Sequence, residues 1–533
     1  MPEDMIYGHL NNEWNRTCKV VLGGEVGELK EFENWLLELK QPRLRGTSSL
    51  SGKEVVFSST DYMQNAKHMS FDEIDFGRKF EPLCIDDTKD IDSILEAVRE
   101  RIYYSGNIIL GTSQFVEKSS SVSNSYYVYE SARIQESKNI AYSTICKNSE
   151  NIFGCNVGSF SNYDIRCHQH GKGGRKFEGW LTWMSSECYY TYNLMGCNDC
   201  IFSFNLRSKR NVIGNLALPK EKYLTIKSHL LAQIRDILKQ KKRAPSLADI
   251  VNECGTPEKN TLVQLANFAK PSEQSGLNPE IEKAFSETAS LIFGKPLSGS
   301  VCDYSEWLKR HIINVAETES VLGSGKTTVP NYENYHAFDK SRNRFVNLSE
   351  ASQLSEIQKL GEIEAEKLDF SNVSGLLSGV AFLSAQFHDG VFSNVTNCPI
   401  IINSANCYSI LGCVNVKDSA FCTWPNGSDH VFGCAFTFNS SFNVNCYSSF
   451  NLTRCFEVDS SSNCSDSYFC HNCENVHDSM FCFNSKNLRY AIGNVVVGRE
   501  QYQRAKSMLQ SWLREGFETD KAVDSDIFNI GSA

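Results

Sequence analysis

Long hydrophobic runs are missing from this chain. Nowhere in its 533 residues do about 18 apolar residues follow one another, which argues against an ordinary membrane-spanning helix. The opening Met1-Pro-Glu-Asp-Met-Ile-Tyr-Gly-His-Leu10 has neither a basic n-region nor an apolar h-region, so a soluble, unexported, cytoplasmic chain is expected. Positive charge is also scarce. The 53 Lys+Arg against 63 Asp+Glu leave a net charge of −10, which argues against a protein that coats nucleic acid. Cysteine is frequent at 21, yet about 4% of the chain is below the roughly 8–10% of a small disulfide scaffold, so free thiols are expected. No Ser/His/Asp set, nucleophile elbow or pair of carboxylates stands out, and no catalytic, cofactor-binding or metal-binding residue is assigned. With 41% hydrophobic and 22% charged residues, the chain still belongs among globular proteins.

The order in the sequence is carried by the cysteines. In the second half they stand at 398, 407, 413, 422, 434, 446, 455, 464, 470, 473 and 482, and every gap is a multiple of three. Ten such gaps would arise by chance roughly once in 60,000, so the period is structural. Cys146, Cys155, Cys167, Cys188, Cys197 and Cys200 share one phase in the first half, continuing a hexad S-x-x-[VIC]-x-x that runs from Ser119 to Ile152. From Val395 to Ser485 the 31 in-phase positions hold 11 Cys, 9 Ser and 8 Val, Ile or Leu, with Pro425, Thr437 and Asn443 as the exceptions. A helix repeats every 3.6 residues and a strand every 2, so a period of 3 requires a chain that bends repeatedly. The expected form is a β-solenoid (β-helix) of short extended segments whose interior is filled by stacked Ser, Cys, Val and Ile. Asn397, Asn406, Gly412, Gly433, Asn445, Asn463 and Asn472, each just before a cysteine, suit left-handed corners. Cys446, Cys464 and Cys482 recur at one interval, shared by Cys455 and Cys473, and it suggests a coil of about 18 residues.

The two arrays end alike. Cys200-Ile-Phe-Ser-Phe-Asn-Leu-Arg matches Cys482-Phe-Asn-Ser-Lys-Asn-Leu-Arg at an offset of 282, and after a three-residue difference Ile213-Gly-Asn215 matches Ile492-Gly-Asn494. An amphipathic helix follows each copy. One is marked by Tyr223, Ile226, Leu230, Leu231, Ile234 and Leu238, the other by Tyr502, Ala505, Leu509, Trp512 and Leu513. The fold expected is therefore a mixture of α and β: two duplicated short-strand β-solenoid arrays with three-residue inward periodicity, capped and linked by helices. Its parts are a mixed α/β region at 1–104 with a helix near 25–40, a first solenoid at 105–216, a capping helix and mostly helical connector at 217–370, a second solenoid at 371–496, and a capping helix and tail at 497–533. Helical patterns at 91–102 and 349–368 precede the arrays, and irregular loops are expected at Lys270-Pro271 and 323–331.

The run Cys146-Lys-Asn-Ser-Glu-Asn-Ile-Phe-Gly-Cys155, with Asn205-Leu-Arg-x-Lys209 and Lys220-Glu-x-Tyr223, resembles uncharacterised Cys/Ser/Asn-rich repeat proteins of small-genome bacteria and tailed phages. The resemblance covers about residues 119–228 and 395–510. It implies the solenoid fold, carries no activity with it, and adds a phage particle as a setting. A zinc ribbon that those relatives carry ahead of the repeat has no counterpart before residue 119, where only Cys18 and Cys84 occur.

Four features could carry chemistry. Gly323-Ser-Gly-Lys326-Thr-Thr328 is similar to a phosphate-binding loop, but Ser320 stands at the first glycine position, 307–316 reads as helix rather than strand, and Pro330 blocks the helix that should follow. Cys197-x-x-Cys200, Cys470-x-x-Cys473 and Cys167-His168-x-His170 have metal-ligand spacing, which the three-residue period alone would produce. Segment 168–184 departs from the small or aliphatic row at Gly173, Lys176 and Gly179 and carries Lys172, Arg175, Trp180 and Trp183, so a protruding, partner-contacting loop is expected. Lys220, Lys222, Lys227, Arg235, Lys239, Lys241, Lys242 and Arg243 crowd one helix, a run that ordinarily solvates a helix end.

The function expected first is a non-enzymatic structural or assembly protein, self-associating as a homo-oligomer or built into a larger particle, with no membrane or nucleic-acid partner. Phe421, Phe469 and Phe481, facing outward, would join loop 171–183 as contact surfaces. Two alternatives remain. One is a solenoid enzyme of acyl transfer or polysaccharide processing, although hexapeptide transferases space their small residues 2 and 4 apart rather than 3 and 3. The other is a metal-binding protein using its cysteine ladders. Fold alone decides among none of them.

Overall fold

The computed structural model describes residues 3–38, 40–84, 89–258 and 276–531, together with 262, 264, 265, 267 and 269. The loop expected at Lys270-Pro271 lies outside them. The three-residue period is written into the backbone. Lys118, Ser121, Asn124, Tyr127 and Glu130 have φ between 47° and 57°, each one position ahead of an in-phase residue, and the series continues through both arrays. Every asparagine and glycine expected at a left-handed corner has a positive φ, from 49° at Asn445 to 85° at Gly412. So do Ile145 at 58° and Val157 at 55°, although holding an L-residue there costs about 1–2 kcal/mol.

That cost is offset by what the corners make possible. Parallel strands follow one another at a step of 12: Ile140 pairs with Ile152, Cys146 with Gly158, Cys188 with Cys200, Val395 with Cys407 and Val458 with Cys470. The pairing step is 12, whereas the recurrence of cysteines pointed to 18, because that recurrence records only which small residues share a phase. The molecule mixes α and β, with many parallel strands in sheets of up to 14 strands, and no sheet of the described residues closes into a barrel.

The inward row explains its own composition. Ser125 Oγ donates to the carbonyl of Ser123 at 2.8 Å and accepts the amide of Ser137 at 3.0 Å; Ser131 does the same with Tyr129 and Ser143. Cysteine takes this role at Cys155, whose thiol donates to Phe153 O at 3.6 Å and accepts Cys167 N–H at 3.2 Å. A small side chain with one donor and one acceptor thus satisfies backbone groups at the corners that would otherwise be buried unpaired. Between these, Val122, Val128, Ile134 and Ile140 in one array, and Ile410, Val416, Val431 and Leu452 in the other, form continuous apolar clusters, each side chain contributing about 1.5–3 kcal/mol. On the faces away from the inward row, side-chain amides form ladders at the same step: Asn139 to Asn151, Asn451 to Asn463 and Asn472 to Asn484, all at 2.9 Å.

The chain divides into two compact units. Unit one holds Met1–Pro42, Ile108–Ser272 and Glu317–Phe387; unit two holds Arg43–Asn107, Glu273–Ala316 and His388–Ala533. Each contains one array, a helix along its flank (Glu3–Leu22 or Pro279–Phe293), an antiparallel hairpin at the end of the array (Val212 with Ala217, Ala491 with Val496) and a closing helix (Lys220–Lys241 or Arg499–Asp520). The closing helices bury the expected faces, apart from Leu231 and Trp512, which are half-exposed.

The duplication reaches further upstream than the arrays. Leu29-Lys-Glu-Phe-Glu-Asn-Trp-Leu36 is repeated as Val301-Cys-Asp-Tyr-Ser-Glu-Trp-Leu308, with the four apolar positions buried in both. Leu36 lies against Gly154 and Leu308 against Gly433, so closely that a Cβ at either glycine would meet leucine backbone at 3.0 Å. Ser48 Oγ donates to Glu73 at 2.6 Å while accepting Leu50 N–H, and Ser320 does the same with Glu350 at 2.7 Å and Leu322. These last two copies are exchanged. Residues 43–107, from the first half of the chain, build unit two, and 317–387, from the second half, build unit one.

Three local expectations are corrected. Segment 168–184 is no loop: His168–Trp183 is a continuous strand paired on both sides, because Gly173, Lys176 and Gly179 occupy the inward row like their neighbours. The helix read over 307–316 is only Ser305–Leu308, and a strand starts at Val315. Phe421, Phe469 and Phe481 do face away from the inward row but are buried. Phe469 stacks on Phe481 and meets Phe456, which packs against Phe293 of the flanking helix, and Lys309 lies over Phe421.

Candidate functional site

The densest polar group lies in the inward row of unit one. Ser161, Asp164, His170 and Lys176 are in phase with the cysteines and fully buried. The Ser161 hydroxyl donates to Asp164 Oδ2 and accepts from Lys176 Nζ at 3.1 Å. Lys176 Nζ is 3.6 Å from the same Oδ2, and His170 Nδ1 is 2.8 Å from it. The other carboxylate oxygen accepts the Lys176 amide at 3.1 Å. Burial alone would push the Asp164 carboxyl up, but the Lys176 charge and the His170 contact outweigh it and hold the carboxyl below its ordinary range. Gly158 makes room, since a Cβ there would collide with the His170 ring.

The array cysteines are free thiols, all buried. Burial pushes Cys146, Cys455 and Cys464 up to about 12, and the protonated Cys455 and Cys464 thiols donate to the carbonyls of Thr453 and Ser462. Cys197 departs from this, lowered to about 7 by a hydrogen bond from Cys200 and by the Lys209 amide, 3.5 Å from its sulfur. No group of three or more His, Cys, Asp or Glu among the described residues has the geometry to hold a metal ion. Of the three metal-spaced pairs, His168 is occupied by Asn334 at 2.7 Å and by the rings of Trp180, Tyr332 and Tyr335.

The remaining candidates resolve into structure. Lys326 opens a strand and pairs with Glu317 at 3.1 Å, and its loop is the tip of the repeated Ser320 motif. In the basic helix, Lys222 binds Glu362 and Glu366, Lys227 binds Glu187 and Asp199, and Lys242 and Arg243 bind Glu31, Glu38 and Asp249. Phase could have found Asp164, His170 and Lys176. Every third residue from Cys155 leads to them, but polar types in that row read as a break in the repeat rather than its continuation.

No helix of the described residues is long and apolar enough to cross a membrane. No protein-family model, curated protein or solved structure matches this chain.

Proposed function

We propose that both arrays are β-solenoids whose coil equals the pairing step, with left-handed corners every three residues and hence four sides, and that the protein is a non-enzymatic structural component that self-associates in a larger particle. One observation carries the reading: near the start of each array the inward row holds a half-buried valine, Val116 or Val395, on a strand that pairs on one side among the described residues. The far end of each array is closed by its hairpin and helix, whereas the starting end presents strands paired on one side, Ile109–Leu110 and Gln114–Glu117 in unit one and Ser393–Thr396 in unit two, the kind of surface that pairs with another chain. In unit two Val391 and Phe392, just ahead of that strand, are 84% and 44% exposed. A second copy is the proposed occupant. Native mass and electron microscopy of the full chain test this. Oligomers that dissociate on V391K/F392K support it, and a strict monomer at micromolar concentration overturns it.

A second reading, as an enzyme, is favoured by the Ser161, Asp164, His170 and Lys176 cluster, a hydroxyl with an amine and an imidazole in reach. Its complete burial requires the coil to open before any substrate could meet it. Turnover of an acyl or sugar substrate lost in S161A, with folding unchanged, would establish that reading. Metal binding is the least supported, because no group of three or more His, Cys, Asp or Glu among the described residues is placed to hold a metal ion.

A further inference from the structure

The segments that follow the two closing helices are held by equivalent glutamates with different partners. Lys242 and Lys521 both end their helices in a left-handed conformation, with φ of 54° and 56°. In unit one the Leu247 amide then donates to Glu178 Oε2 at 3.1 Å; in unit two the Ile527 amide donates to Glu457 Oε2 at 3.0 Å. Both carboxyls are fully buried. Across from Leu247, Arg166 binds Glu178 at 2.5 Å. Across from Ile527 the corresponding residue is Asn445, whose amide donates to Glu457 Oε1 at 2.9 Å. Burial pushes both carboxyls up, but one clamp contains its own cation, Arg166, which opposes the push on Glu178, and the other is faced by an uncharged amide.

We propose that residues 523–531 form a pH-operated latch in unit two, docked on the array through Glu457 while that carboxyl carries its proton and released as the medium becomes alkaline, while the matching segment of unit one, whose glutamate is paired with Arg166, responds less.

The groups around the latch act in the same direction. From the segment itself come Asp526 and Asp524; from 273–316, His311, whose ring nitrogens lie 3.1 Å from Asp61 and 3.0 Å from Asp526, and Arg310, which donates to Val523 O at 2.7 Å and lies 3.6 Å from Asp524. From 43–107 come Asp61, Tyr62 and Tyr104, the last donating to Ile527 O at 2.7 Å; from the array come Tyr447 and the pair Asp459 and His471 at 2.8 Å. Burial, reinforced by the Asp526 charge, pushes Glu457 up to about 8. Burial works against a charge on His311, but Asp526 and Asp61 outweigh it and push the imidazole up to about 10. Both docked groups therefore hold protons that the undocked groups would release at lower pH. Docking is strongest below the ordinary glutamate value. The Glu457 part is lost from there to about 8, and the His311 part from the ordinary imidazole value to about 10.

Hydrogen exchange of the full chain, corrected for intrinsic rates, tests this by comparing the Ile527 and Leu247 amides between pH 6 and pH 9. Protection at Ile527 should fall at least about a hundredfold relative to Leu247, since each uncompensated group contributes about tenfold per pH unit in its window. E457Q keeps the acceptor for Ile527, Asn445 can turn its oxygen to the new amide, and the loss should narrow to the His311 window. N445R supplies the cation that Arg166 gives unit one and should flatten the fall by at least about tenfold. Equal profiles at Ile527 and Leu247 in the unmodified chain overturn the proposal, as does an E457Q profile identical to it. The wild-type comparison decides by itself if either variant fails to fold.

Discussion

At equivalent places in the inward row the two units solve one problem in two ways. Unit one places Asp164 where unit two places Asn443. Asp164 accepts the amide of Lys176, and Asn443 Oδ1 accepts that of Cys455 at 2.8 Å. The backbone requirement is thus an acceptor, and an uncharged one suffices. Lys176 and His170 answer the charge of Asp164; Cys455 and Ser449 stand in their places because Asn443 has none. Burying an ion pair is seldom more stable than burying a neutral pair of similar size, so unit one gives up stability for a feature that its own fold, as unit two demonstrates, does not need.

The comparison can be broken in several ways. The largest effect is expected from register. One residue inserted after Asn451 moves every later member of the row out of phase, and unit two should lose cooperative unfolding, whereas inserting a copy of residues 446–457 adds one whole step and should leave the thermal transition in place. Next comes charge. K176M should cost about 3–5 kcal/mol by stranding Asp164, and D164N/K176C, which copies unit two, should recover most of it in urea titrations. The ion pair also has a pH signature: Asp164 lies below its ordinary value when folded, so its contribution is present at neutral pH and lost only as the pH falls below the ordinary carboxylate range. D164N/K176C should flatten that acid limb. A smaller effect belongs to volume. C464S and C464A should be milder than C464L, which overpacks the row by about 1–3 kcal/mol. The smallest is a deliberate null. Cutting the chain at a protease site inserted between Pro271 and Leu277 should leave the two pieces in one particle under native conditions, because 43–107 and 317–387 belong to each other's units. Separation on a sizing column would refute the exchange.

Phase, inward residues, left-handed corners and closing helices were all legible because small residues at a strict three-residue spacing admit few conformations. The pairing step was not. A slip of three keeps every residue in phase, so Cys200 aligns with Cys482 at 282, while hydrogen-bond partners align at 279: Phe204 N–H to Asn215 and Phe483 N–H to Asn494. Asp164 was missed, and His170 and Lys176 were singled out separately without being joined to it, for a related reason, since a charged residue in a row of small ones looks like an interruption until its partners are known. Phe469 and Phe481 were placed on the correct side, but they are buried through Phe456, which meets Phe293 of a helix far away in sequence.

The exchanged segments set a timetable for synthesis. Unit one's array is complete once residue 217 has left the ribosome, yet unit one still lacks 317–387, and its Asn193 and Asn205 amides await the carbonyls of Ser384 and Phe382. Residues 43–107 are finished early and must wait for an array that begins at 388. Neither unit can close until most of the chain exists, so the nascent protein carries unfinished surfaces for the greater part of its translation, and a message truncated before residue 387 would yield no complete unit.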